Sequence, residues 1–172
     1  NAGLLAMLTG MGSLSYGELG GERMKLGLML NDPEEEQDCF SDNTYNSHYY
    51  DGVGIRDVYL GRYTRVDGSE MTGPSLSDLV ASKDAAVDSQ LKAELDASVD
   101  ALLAVKTAAE GGLAYDQMLE AGNKEGEALI MGAVTALVTQ TASIERAVTV
   151  LGLTPTGFEG SDSLDNPSAV FQ

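Results

Sequence analysis

The sequence predicts an all-α fold, a helical bundle of the up-down, four-helix type, on three observations. Val87, Leu91, Leu95, Val99, Leu102 and Leu103 recur at helical spacing between Asp84 and Glu110, with Asp, Glu and Lys opposite them. Ile130, Val134, Leu137, Thr141, Ile144, Val148 and Leu151 alternate spacings of four and three, the pattern of a bundle seam. No stretch alternates apolar and polar residues with the period of two that marks a half-buried strand. The reading is of one helical domain over residues 1–172.

The first helix is expected from about Ala2 to Leu30. At about 100° per residue, Leu4, Leu8, Met11, Leu26 and Met29 fall in one narrow arc, and Ser15, Glu18 and Glu22 fall in the same arc. Two carboxylates one turn apart then stand in line with the apolar stripe. A charge there is costly unless it is paired, protonated or bound to a metal. Gly10, Gly12, Gly17, Gly20, Gly21 and Gly27 are many for a helix, each costing up to about 1 kcal/mol against Ala. They point to close approach by a neighbouring backbone or a bound group. Pro33 ends the helix, since it cannot continue it and pushes Asp32 out of the α region.

Residues 32–53 read as a long functional loop, and its aromatics, Phe40, Tyr45, Tyr49 and Tyr50, argue that it packs down on the body. A short helix follows from Gly54 to Tyr63, then a Gly, Asp and Ser-rich turn region to Gly73. Ser75-Leu76-Ser77-Asp78 after Pro74 is a helix start. Long helices run from about Asp84 to Glu110, stopped by Gly111-Gly112, and from about Lys124 to Leu151, closed by Gly152. Between them lies a short helix or turn, Leu113 to Leu119. Residues 152–172 form an irregular tail docked on the body. With three long helices, one member of the four-helix bundle is missing or comes from another segment.

The formal net charge is −17, from 27 acidic and 10 basic residues. Such a chain repels phosphate, which excludes nucleic acid as a partner. One Cys excludes an intrachain disulfide and a Cys-based zinc site. The longest apolar windows are broken by Gly, Ser or charge short of a membrane span. No Gly-x-Ser-x-Gly, Ser-x-x-Lys, His-Glu-x-x-His or phosphate loop occurs.

Two groups of residues carry the candidate chemistry. Glu18 and Glu22 could bind a cation or share a proton; the plainer reading pairs them with Arg23, Lys25, Arg56 or Arg62. His48, with Asp42, Asn43 and Asp51, could form a loop metal site, or His48 could simply hold the loop in place. Ser15 and Arg23 join them as cleft candidates. Cys39 reads as a small buried apolar residue, Glu34 to Glu36 as a cap or a solvated face, and the Met residues of the first helix as core.

The wording GELGGERMKLGLML, DPEEE, DCFSDNT, NSHYYDGVGI and VYLGRY, within residues 1–80, resembles the imelysin family, closest to its iron-regulated protein A branch. The resemblance implies an all-α protein of two helical domains, of which this chain is the C-terminal half. It also implies a bacterial envelope protein, periplasmic or outer-membrane-anchored, tied to iron acquisition and in some members classed as a metallopeptidase. Iron or zinc is the implied metal. The family's metal motif, Gly-x-His-x-x-Glu, is absent: His48 is the sole His, and Asp51 stands three residues on. Tyr45 also stands where many relatives carry His. The chain begins mid-pattern at Asn1-Ala2-Gly3, as a processed chain or fragment would. The implied partners are therefore the N-terminal half of the same protein, as another segment or chain, and an envelope protein. The Glu18, Glu22 and His48 stretch becomes one wall of a site whose other wall lies elsewhere.

Overall fold

A computed structural model describes residues 1–171. The helices are α1 (Ala2–Ser13), continued by a π-helical segment (Leu14–Lys25) and α2 (Leu26–Leu30); α3 (Thr44–Leu60); α4 (Leu76–Ala81); α5 (Ala85–Glu110); α6 (Tyr115–Leu119); α7 (Lys124–Val150); and α8 (Asp162–Asp165). Short 3-10 turns cover Pro33–Glu35 and Pro167–Phe171. The fold is an all-α bundle, as the periodicity predicts.

Side-chain caps set several helix starts. Ser75 Oγ accepts the Asp78 N–H at 2.9 Å, and Asp84 Oδ1 accepts those of Ala86 and Val87 at 2.9 and 3.1 Å. Asn123 Oδ1 accepts the Gly126 N–H at the start of α7. Gly61 and Gly152 close α3 and α7 at φ +60° and +68°, where a Cβ would be strained.

Three sequence expectations are corrected. Residues 32–53 are not one loop: α3 begins at Thr44, so His48, Tyr49, Tyr50 and Asp51 lie on a helix. Helix α3 is also the bundle's fourth member, so none is missing. It packs on α5, α5 on α7, α7 on the first helix, and the first helix back on α3. The turn region after Leu60 holds a two-stranded antiparallel hairpin, β1 (Arg62–Thr64) and β2 (Glu70–Thr72), with Tyr63 opposite Met71. Its three-residue strands are too short to show a period.

Helix α7 contains an 18-residue window of mean hydropathy 1.3, so by length and composition it could cross a membrane. In the fold, Ile130, Val134, Leu137, Ile144 and Val148 from its seam are buried in the core.

The core has two apolar halves. One gathers Leu8, Met11, Ile55, Leu91, Leu95 and Ile144; the other gathers Leu19, Met24, Leu102, Tyr115, Ile130 and Leu137. A buried polar layer lies between them in sequence on three helices: Ser15, Ser98 and Gln140 are fully buried. Gln140 Nε2 donates to Ser15 Oγ at 2.7 Å, and Ser98 Oγ donates to Gln140 Oε1 at 2.5 Å. Each polar atom so paired escapes the cost of a buried orphan.

A second buried polar knot ties α3, α4 and α5. Tyr59 and Ser77 hydroxyls donate to Asp88 Oδ1 at 3.0 and 2.7 Å, and Lys92 Nζ meets Asp88 Oδ2 at 2.6 Å. Burial alone would push the Asp88 carboxyl up, but the Lys92, Ser77 and Tyr59 bonds outweigh it and hold it below the usual carboxylate range.

Candidate functional site

The π segment decides where the predicted residues point. In an i→i+5 helix each residue turns less about the axis than in an α-helix, so apolar residues five apart share a face. Leu14, Leu19 and Met24 have that spacing; Leu19 and Met24 are fully buried, and Leu14 packs on both core halves. The core stripe therefore runs Leu8, Met11, Ser15, Leu19, Met24. The expectation that Glu18 and Glu22 sit on the core arc fails, because it carries α-helical phase through π-helical residues. Glu22 is exposed and makes no ion pair among the described residues, and the Glu18 side chain is 45 % exposed.

Glu18 is paired as the plainer reading has it. Arg23 donates through Nε and Nη2 to Glu18 Oε1 at 2.9 and 2.7 Å, and through Nη1 to Asp51 Oδ2 at 3.0 Å. The guanidinium thus bridges the π segment and α3, with about a quarter of each of the Arg23 and Asp51 side chains exposed. Burial raises the Asp51 carboxyl above its ordinary range, against the pull of Arg23, and Glu18 adds repulsion. Two carboxylates on one guanidinium form a pre-organised polar cluster that solvent reaches.

His48 is sealed from solvent. It is fully buried on α3, its ring edge-on to Tyr115 with centroids 5.0 Å apart and planes at 83°. Neither Nδ1 nor Nε2 has a hydrogen-bond partner. Burial, with repulsion from Arg23, lowers its pKa from 6.5 to about 3, so the ring is neutral across the physiological range. Asp42 and Asn43 lie before α3, exposed, with Asp42 at φ +48° and Asn43 Oδ1 accepting from Asn46 Nδ2 at 2.8 Å. Ser15 belongs to the polar layer. The structure therefore joins Glu18, Arg23 and Asp51 by direct bonds; His48 feels the Arg23 charge but bonds to none of them, and Glu22, Asp42, Asn43 and Ser15 make no bond to the cluster.

The expected metal set does not fit. Glu18 is already paired with a cation, Glu22 faces solvent, and His48 is sealed on the core side. No three His, Cys, Asp or Glu side chains among the described residues are placed to hold a metal ion. Cys39 is exposed rather than buried, and Phe40 beside it is fully exposed, so that part of the loop does not pack down.

Sequence reasoning missed Glu36 and Tyr115. Glu36 Oε2 and the Tyr115 hydroxyl are buried without partners, as the His48 nitrogens are. Burial raises both groups, and Glu36 adds repulsion at Tyr115. Glu36 stands in a run of three glutamates that looks like a solvated face, so nothing in its neighbours marks it as the buried one.

A four-membered bundle with one half-open carboxylate–guanidinium cluster defines a helical-bundle protein whose polar site opens at its surface. A family model described as Imelysin, Peptidase_M75, matches residues 1–144. The chain belongs to the imelysin family. A search of curated proteins finds no match.

Proposed function

We propose that this chain is part of a bacterial envelope protein of iron acquisition, periplasmic or outer-membrane-anchored, and that it supplies one wall of a polar site between two helical domains. The observation that carries the reading is the Arg23 bridge between Glu18 and Asp51. It is the one group of predicted site residues that meets in space and stays open to solvent. The guanidinium holds both carboxylates in fixed positions that solvent still reaches, an arrangement suited to recognition. The facing wall is the N-terminal half of the same protein, with Gly-x-His-x-x-Glu as its metal motif. An envelope protein is the further partner.

The test is iron retention by the full-length protein, with Asp51→Asn and Glu18→Gln variants beside it. Retained iron that falls at least tenfold in both variants supports the reading. Equal retention in the variants, or none in any protein, refutes it. A second reading, a metallopeptidase, rests on the peptidase description of the matching family model. Its metal ligands would come from the other half. Peptide hydrolysis by the full-length protein above a chelator-treated control separates the two.

A further inference from the structure

The segment after α7 lies along the glycine-bearing face of the first helix. Each of three glycines there meets the tail where a Cβ would stand. The Phe158 ring fills the space at Gly12, the Glu159 carbonyl oxygen lies 2.5 Å from the Cβ position of Gly17, and the Ser161 side chain occupies that of Gly21. Polar bonds fasten the same contact. Ser163 Oγ donates to the Gly21 carbonyl at 3.0 Å, Tyr16 Oη donates to Asp165 Oδ1 at 2.7 Å, and the Glu159 N–H donates to Ser13 Oγ at 3.0 Å. Phe158 packs on one core half and Leu164 on the other. Between α7 and this contact, residues 154–157 are exposed and end at Gly157 with φ +79°.

The helix they cover is π over twelve residues. Such helices occur mostly as single turns, because their hydrogen-bond geometry is seldom competitive with the α form. A longer run calls for support from outside the helix. The Gly21 carbonyl shows where it comes from: it accepts the Leu26 N–H, an i→i+5 bond, and the Ser163 hydroxyl together. The tail lies beyond residue 144, where the family match ends.

We infer that residues 154–171 are a detachable clamp on the π segment, whose seating holds the register that sets Arg23 against Asp51. With the clamp lifted, the segment relaxes toward α-helical bonding. Each residue then turns further about the axis, and Arg23 rotates away from α3. The clamp itself follows from the contacts above; only its bearing on ligand binding rests on the proposed function.

The test uses the whole chain and three variants. Gly21→Ala places a methyl group against Ser161 while raising intrinsic helix propensity by up to about 1 kcal/mol. Any loosening then comes from lifting the tail. Gly10→Ala is the same change in the same helix, at a position where a Cβ meets nothing within 4 Å. Tyr16→Phe combined with Ser163→Ala removes two tail bonds and almost no volume. Amide hydrogen exchange and the Arg23 Nε–H signal are followed by NMR. We expect exchange over residues 14–26 to rise at least tenfold in Gly21→Ala and several-fold in the double variant, with no change in Gly10→Ala. The Arg23 signal should move toward that of a free guanidinium, while α5 and α7 keep their protection. Unchanged exchange over 14–26 in Gly21→Ala overturns the clamp. So does loss of protection spread over α5 and α7 in both tail variants, which would make the tail part of the global fold. These readouts do not involve iron, so the clamp can fail while the proposed function stands, and the reverse.

Discussion

His48 should make the stability of this protein fall steeply as the pH drops below 6.5. Its imidazole is fully buried with no hydrogen bond to either nitrogen, and burial, helped by Arg23, lowers its pKa from 6.5 to about 3. Between those values the unfolded chain takes a proton that the folded chain refuses. Stability is therefore complete above pH 6.5 and is lost as the pH falls toward 3, at about 1.4 kcal/mol per unit. From pH 6.5 to 4.5 the loss from this residue alone is about 2.3 kcal/mol. The perturbation is His48→Leu, which cannot take a proton. Urea unfolding at pH 7.5, 6.5, 5.5 and 4.5 gives the stability of each chain, and the difference between the chains isolates His48. Glu36 and Asp51 have raised carboxyls, which favour the folded state as the pH falls; they are common to both chains and cancel in the difference. The wild-type chain should lose about 2–3 kcal/mol relative to His48→Leu between pH 6.5 and 4.5. Because His48 is the only His, its ring signal in NMR should show no titration above pH 5 in the folded chain. A constant difference between the two chains, or a ring that titrates near 6.5, would refute the reasoning.

Other outcomes follow from the same structure. Arg23→Met should raise the Asp51 carboxyl further and ease the depression of His48, both read by NMR titration, at a stability cost within about 1 kcal/mol. Asp88→Ala strands the Tyr59 and Ser77 hydroxyls in the core and should cost about 1–3 kcal/mol by denaturant titration at pH 7. Because the Asp88 carboxyl is held low, that deficit should shrink as the pH falls below about 4. Gly126→Ala drives a methyl group to within 2.6 Å of the Met118 carbonyl oxygen where α6 meets α7, and should lower stability by about 1–2 kcal/mol despite better helix propensity.

The long apolar periods were readable because they match regular α-helices. The stripes of α5 and α7 lie in the core much as their spacing predicts, though Leu103, counted in the α5 stripe, is 40 % exposed. Helix α3 was harder. Its buried residues include Thr44, His48, Gly52, Ile55 and Tyr59, at spacings of four, four, three and four, but only Ile55 and Tyr59 lie within the short helix expected from Gly54 to Tyr63. Gly52 is buried because α3 comes close to Leu102 of α5 there, and a glycine in a sequence signals a turn before it signals an interface. The cluster was half legible. The sequence marks Glu18, Arg23 and Asp51 as candidates and offers Arg23 as a partner for Glu18, but shows no bridge to Asp51. That bridge joins positions 28 residues apart and depends on the phase of a π helix.

The five-residue spacing of Leu14, Leu19 and Met24 connects these points. In α-helical phase those three residues scatter around the axis and leave Glu18 and Glu22 on the buried side, which is the arrangement that suggests a buried acidic metal pair. In π-helical phase the apolar residues take the core, Glu22 goes to solvent, and Glu18 swings to the edge where Arg23 can hold it against α3. Burying Leu19 and Met24 fully favours the second arrangement by about 1.5–3 kcal/mol each, and removing two glutamates from the apolar stripe avoids a further desolvation cost. The polar cluster thus depends on two supports acting on one helix, the apolar residues that reach the core and the tail that the glycines of this helix leave room for.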